Sequence, residues 1–123
     1  MAITELPPNT ILLYTDGDRS IDNNRAAGGT IKPGMLVELY NNGGVNNWRA
    51  NSSAVNVPTL AVALEDRMNN KGINDNYSAA DLVTVAFLEA GDKFYGILLS
   101  GETAANGAIL QSDGTGKLKE IDV

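Results

Sequence analysis

LAVALEDRMNNKGINDNYSAADLVTVAFLEAGDKFYGILL occupies residues 60–99, and SGETAANGAILQSDGTGK continues it as residues 100–117. This run contains the longest apolar segments of the chain, a polar excursion between them, and a close series of glycine turns. Short apolar runs bounded by turn residues are typical of buried strands. We therefore expect the run to form the centre of a compact β-structure, with at most a short turn of helix near residues 65–70.

Three apolar segments of this run are predicted to be core strands, at residues 59–64, 82–88 and 93–99. In the second segment Val83, Val85 and Phe87 alternate, so they should face the same side of a sheet. The tight turn at residues 89–92 should let the third segment pair back against the second. A last hairpin is expected from Gly107–Ser112 and Lys117–Ile121.

The first half of the chain contains further strand and turn patterns. Ile11–Tyr14 is a short apolar run that favours a strand. Pro33-Gly34 fits the central positions of a type II turn, because proline sets the first φ and glycine accepts the positive φ of the second. Met35–Tyr40 then alternates as a strand, and Asn41–Gly44 is typical of a hairpin turn before the return strand Val45–Ala50.

The length of 123 residues suits one domain. Pro7-Pro8 predicts an extended N-terminal arm over residues 1–10 rather than a helix. Residues 11–123 should form a single β-rich domain. The fold class is accordingly all-β: a small β-barrel or β-sandwich of short antiparallel strands, with an extended N-terminal arm and at most one short helix.

Composition excludes several classes of function. The chain has no histidine and no cysteine, which removes the commonest general base, the thiol nucleophile and the usual soft metal ligands. Its net charge is −6: four basic against five acidic residues give −1 for residues 1–60, and five against ten give −5 for residues 61–123. An acidic surface disfavours nucleic acid and anionic membrane as partners. No export signal or membrane-spanning run is visible.

Two sets of acidic residues are candidate sites. The spacing of Asp16, Asp18, Ser20 and Asp22 is similar to the start of a calcium loop, but Ile21 and Ala27 stand where the turn glycine and the bidentate glutamate belong. The second set is Glu65, Asp66, Asp75 and Asp81, which could form a cluster for acid–base catalysis or for binding a hard cation. Carboxylates that decorate a solvated loop are the commoner case, since catalysis requires one with a raised pKa in an apolar pocket. We expect no catalytic residue, no metal, no cofactor and no enzyme activity.

Trp48 is the single tryptophan. Large aromatic side chains usually serve cores and interfaces, so a packing role at a sheet edge is favoured over a sugar-stacking role. The alternative is a carbohydrate-binding or adhesin module on a virion or cell surface, using Trp48, Tyr40, Tyr77 and the Asn-rich loops.

Family resemblance rests on three stretches. Gly29–Leu39 (GTIKPGMLVEL) resembles the opening of small tailed-bacteriophage capsid cement, or head decoration, proteins. Ala63–Asp66 followed by Gly72–Asp81 is similar to the next part of that pattern, and Leu99–Gly116 completes the order. The resemblance covers about residues 28–120 and rests on glycine and apolar framework positions. The Asn-rich segment 41–56 departs from the pattern, in which a more charged loop is expected.

Membership of that family implies a structural phage virion protein. It would bind the outer surface of the expanded capsid and cement neighbouring major capsid subunits, as a homotrimer, after synthesis in the host cytoplasm. Such a protein binds through many weak contacts across a repeated lattice, and its acidic second half could complement basic patches on the coat. The acidic loop, residues 65–81, is then expected to be a contact surface.

Overall fold

The computed structural model describes residues 11–14, 20–53 and 60–121. Nine short strands and one 3₁₀ turn make up its regular structure, and the longest strands have six residues. The elements in chain order are β1 Leu12–Tyr14, β2 Ile21–Asp22, β3 Val37–Asn42, β4 Val45–Ala50, β5 Ala61–Ala63, the 3₁₀ turn Arg67–Asn69, β6 Val85–Phe87, β7 Lys93–Phe94, β8 Leu110–Ser112 and β9 Leu118–Glu120. The all-β class and the single short helical turn are confirmed.

The strands are arranged in four small antiparallel sheets. The central sheet has the order β2–β6–β5, and β1–β7, β3–β4 and β8–β9 form two-stranded sheets. Isolated bridges join the sheets to segments next to other strands, for example Val62 of β5 with Leu36 and Leu118 of β9 with Leu98. Over the described ranges the strands form a sandwich-like stack of open sheets and close no barrel. The predicted arm, residues 1–10, lies outside the described residues.

The central sheet is buried on both faces. Ala61, Ala63 and Val85 point into one apolar cluster, while Val62 and Ala86 point into the other. Because successive side chains of a strand point to opposite faces, alternation along β5 and β6 supplies both clusters. The first cluster contains Ala27, Ile31, Val37, Trp48, Ala61, Ala63, Tyr77, Val83 and Val85. The second contains Ile11, Val62, Leu64, Ala86 and Leu88.

Two predicted turns form as their residues require. Met35 N–H donates to the Lys32 carbonyl across 3.1 Å, and Gly34 between them has φ +96°, as expected of a type II turn. Gly43 and Gly44 both have positive φ, which is the type I′ geometry that matches the twist of a hairpin. The predicted return strand Val45–Ala50 is confirmed in full.

The prediction that residues 93–99 pair back against residues 82–88 is wrong. β6 has β2 on one side and β5 on the other, so neither of its edges is open to β7. After the turn closed by Asp92 N–H and the Glu89 carbonyl at 3.1 Å, β7 pairs with β1 instead. The later part of that segment is also less buried than expected, since Tyr95 is 54% exposed.

Candidate contact surface

The acidic loop, residues 65–81, is attached to the core at two points. Tyr77 is buried, exchanges two backbone hydrogen bonds with Ile31, and donates its hydroxyl to the Leu64 carbonyl at 2.7 Å. Burial raises the pKa of the Tyr77 hydroxyl, and the nearby carboxylates of Asp66 and Glu65 act in the same direction. Glu65 is itself buried and accepts the Ile11 N–H at 3.1 Å. These contacts hold the ends of the loop in place.

Two of its aspartates close turns. In Gly72–Asp75 the Asp75 N–H donates to the Gly72 carbonyl at 3.2 Å, while the Gly72 N–H donates to Asp75 Oδ2 at 2.8 Å. The same reciprocal pair forms in Ser78–Asp81, at 3.0 and 2.8 Å. Asp92 repeats it with Glu89. An aspartate at the last turn position thus satisfies an N–H that would otherwise depend on water.

Acid–base catalysis by Glu65 and Asp66 would require one pocket that joins the two side chains. Glu65 lies at a cleft beneath the 3₁₀ turn, whereas Asp66 lines a separate and more polar cleft with Asp81. Asp66 accepts a hydrogen bond from Asn69 Nδ2 at 2.8 Å. The two carboxylates are therefore not brought together in one pocket. Among the described residues no group of three or more acidic side chains is placed to hold a metal ion.

The 3₁₀ turn separates two concave surfaces. The mainly apolar cleft has a volume of about 220 Å³, and the polar cleft about 600 Å³. Met68 projects from the turn with 89% of its surface exposed, and Leu82 at the polar cleft is 60% exposed. The apolar cleft is lined by Leu12, Ile21, Leu64, Glu65, Arg67, Met68 and Thr84. The polar cleft is lined by Asp66, Asn69, Lys71, Ala80, Asp81 and Leu82.

This pairing of exposed apolar side chains with carboxylates was not predicted from sequence. Met68 stands between arginine and asparagine, and Leu82 begins a segment that was predicted to be a core strand. A methionine in a polar turn is the local signal that could have indicated an exposed apolar side chain here.

A second exposed apolar area lies on the C-terminal hairpin. Ile109 is 68% exposed and Ile121 is 44% exposed, and the Ile121 N–H donates to the Ile109 carbonyl at 2.9 Å. Leu110 in β8 is 38% exposed. We call Ile109, Leu110 and Ile121 the hairpin patch.

The aromatic residues of the carbohydrate alternative are placed unfavourably for stacking on a sugar. Trp48 and Tyr77 are 1% and 2% exposed, so neither offers a ring face to a ligand. Tyr40 is half-buried, and the Arg49 guanidinium lies 4.7 Å from its ring centre, so a cation already occupies one face of this ring. The packing role predicted for Trp48 is confirmed.

Asp22, from the rejected calcium pattern, is a buried hydrogen-bond acceptor. Its Oδ2 accepts Trp48 Nε1–H at 2.9 Å and lies 3.1 Å from an Arg25 guanidinium nitrogen, and its Oδ1 accepts the Asn24 N–H at 3.4 Å. Burial alone would raise the pKa of the Asp22 carboxyl, but the hydrogen bonds from Trp48, Arg25 and Asn24 outweigh it and lower the pKa. Asp16 and Asp18 lie outside the described residues.

This lowered pKa predicts a loss of stability in acid. A carboxyl whose pKa is lower folded than unfolded stabilises the protein above the unfolded pKa, and that stabilisation disappears as pH falls through the folded pKa. We expect Asp22→Asn to reduce the slope of unfolding free energy against pH below about pH 4. Part of the slope should remain, because hydrogen bonds also lower the pKa of Glu38 and Asp113. Urea unfolding measured across the acid range tests this, and an unchanged slope would contradict it.

Together the sheets and these surfaces define an all-β, sandwich-like domain with exposed apolar side chains at its margins. No family model, no curated protein and no solved structure matches the chain. Within the described ranges no helix is long and apolar enough to cross a membrane.

Proposed function

We propose that this chain is a structural phage virion protein that binds the outer surface of the expanded capsid and cements neighbouring major capsid subunits. It would act as a homotrimer, with the major capsid protein as its partner. The proposal rests on the resemblance to capsid decoration proteins and on where the stretches that carry it lie in the fold.

The observation that carries the proposal is that Gly29–Leu39 contacts each of the other matching stretches. Its Gly34 N–H donates to the Ala63 carbonyl at 2.8 Å, and Ile31 exchanges two backbone hydrogen bonds with Tyr77. Its Leu36 N–H donates to the Gly116 carbonyl at 2.9 Å. The stretches that carry the resemblance are thus joined to one another by backbone hydrogen bonds, which supports interpreting them as parts of one framework.

A contact surface for the coat is offered by the acidic loop. Exposed Met68 and Leu82 could contribute apolar contact area. Asp66 and Asp81 line the cleft beside Leu82, and their negative charge would attract basic residues of the coat. Because a capsid repeats each junction many times, weak contacts at several positions can give tight binding.

Co-sedimentation tests the proposed function. Purified protein is mixed with unexpanded and with expanded capsids, and the bound fraction is measured together with the temperature at which the capsids open. We expect binding to expanded capsids and a higher opening temperature. Failure to bind expanded capsids, together with absence of the protein from a mass-spectrometric inventory of purified virions, would refute the proposal.

The contact surface can be tested separately with paired variants. The paired variant, with Met68→Ser and Leu82→Ser in one chain, should reduce binding to expanded capsids by roughly tenfold or more, because the proposal places both side chains among the few interface residues whose truncation costs more than about 1 kcal/mol. Leu13→Ser is a matched control, since Leu13 is 59% exposed and lies on β1 instead. Equal loss in the control, or no loss in the paired variant, would place the contact elsewhere.

A further inference from the structure

The sequence contains two Asn-Gly pairs, Asn42-Gly43 and Asn106-Gly107, and the structure places them differently. Asn106 and Gly107 are exposed at the middle of a turn closed by the Ala108 N–H and the Ala105 carbonyl at 3.0 Å. Gly107 has φ +84°, and nothing lies within 4 Å of the position a Cβ would occupy. Gly43 also has a positive φ and open space at its Cβ position, so the two pairs differ in how the asparagine is held rather than at the glycine.

Asn42 is held in the β3–β4 hairpin. It ends β3, lies opposite Val45 in the strand register, and donates its side-chain amide to Asn47 Oδ1 at 3.1 Å. A change of backbone or side-chain angle at Asn42 must first break these contacts. Asn106 lies outside the strands, in a turn with one backbone hydrogen bond across it.

We propose that Asn106 is a site of spontaneous deamidation. The β3–β4 hairpin protects Asn42 from this slow modification. The Gly107 amide nitrogen loses its proton to hydroxide and attacks Cγ of Asn106. A carbon–nitrogen bond forms, the bond to the side-chain nitrogen breaks, and ammonia leaves after taking up a proton. Water then opens the resulting succinimide at one of its two carbonyls, which yields aspartate or isoaspartate.

The product would add a charge to a stretch of chain that now has none. Residues 103–112 contain no acidic or basic side chain, and they lead into the hairpin patch. Deamidation adds a negative charge three residues before Ile109, and isoaspartate also lengthens the backbone within a tight turn. The apolar character of this part of the surface would therefore decrease as the protein ages, whether or not the proposed capsid role holds.

Peptide mass spectrometry of the intact folded protein tests the proposal. The protein is incubated at mildly alkaline pH, sampled over time, digested, and treated with a protein isoaspartate methyltransferase to label isoaspartyl products. We expect the peptide with Asn106 to gain the mass and the label, and the peptide with Asn42 to lag roughly tenfold, because its reaction requires prior opening of the hairpin. Asn106→Gln should abolish the gain in the first peptide and leave the second unchanged.

A synthetic peptide of residues 103–112 provides the reference for an unrestrained Asn-Gly pair. An unmodified Asn106 in the protein, under conditions that modify the synthetic peptide, would overturn the proposal. Equal rates at Asn42 and Asn106 in the folded protein would overturn it as well, since the protection assigned to the hairpin would then be absent.

Discussion

Trp48→Ala is expected to lower the free energy of unfolding by about 3–5 kcal/mol, the usual cost of truncating a fully buried aromatic side chain. The Trp48 ring is 1% exposed, and its centre lies 5.8 Å from that of Phe87. The truncation leaves a cavity in the first core cluster and removes the Nε1–H donor of buried Asp22. Since small domains have about 5–15 kcal/mol of stability in total, this variant should unfold at a much lower denaturant concentration.

Trp48→Phe separates the two contributions. It keeps an aromatic ring in the cluster but removes the hydrogen bond to Asp22, so we expect a smaller cost of about 1–3 kcal/mol. Urea unfolding followed by circular dichroism measures both variants without depending on tryptophan fluorescence. A cost below about 1 kcal/mol for Trp48→Ala would contradict the central position of the ring in the core.

Gly116→Ala should cost about 2–4 kcal/mol, from two causes that act together. Gly116 has φ +85°, a conformation that L-residues with a side chain rarely adopt. A Cβ there would also lie 3.1 Å from Ala50 Cβ and 3.2 Å from the Leu36 carbonyl oxygen. Because the Leu36 N–H donates to the Gly116 carbonyl at this point, the two segments cannot move apart without losing that hydrogen bond.

Gly101→Ala is a matched control for this variant. Gly101 has the same φ of +85°, but nothing lies within 4 Å of its Cβ position. It should therefore show the conformational cost alone, about 1–2 kcal/mol. The difference between the two unfolding free energies isolates the packing contact, and equal costs would show that the close approach of residues 36 and 116 does not matter for stability.

The predictions that were confirmed concern neighbouring residues. Pro33-Gly34 and Gly43-Gly44 form the turns expected of them because allowed φ values are a property of the residues themselves. The Gly43-Gly44 turn then fixes the register of β3 and β4, from Asn42 opposite Val45 to Val37 opposite Ala50. The hairpin of β8 and β9 was predicted on the same basis and is confirmed.

The partners of β6 could not be predicted from neighbouring residues in this way. The turn at residues 89–92 has the same local structure whether or not the next strand returns to β6. What decides the partner is burial on both faces of the central sheet, where small side chains such as Ala61, Ala63 and Ala86 let two clusters pack closely. The strands that compete to pair with β6 lie far apart in the chain, so local sequence patterns do not show which of them will pair with it.

The same difference between local and long-range effects applies to the candidate site residues. The sequence marked residues 65–81 as acidic, but the separation of Glu65 from Asp66 and the turn-closing roles of Asp75 and Asp81 follow from how the loop meets the core. Exposed Met68 and Leu82 likewise owe their positions to the shape of that loop.

By itself, the sequence determined an all-β class, the β3–β4 and β8–β9 hairpins and the excess of acidic charge in the second half, because these depend on residue type and short-range geometry. The tertiary structure alone decided which of the other strands share a sheet and which aromatic rings are buried. Those outcomes depend on contacts between distant residues, such as Trp48 and Asp22, which are 26 residues apart. Such contacts form only when distant parts of the chain pack together in the folded core.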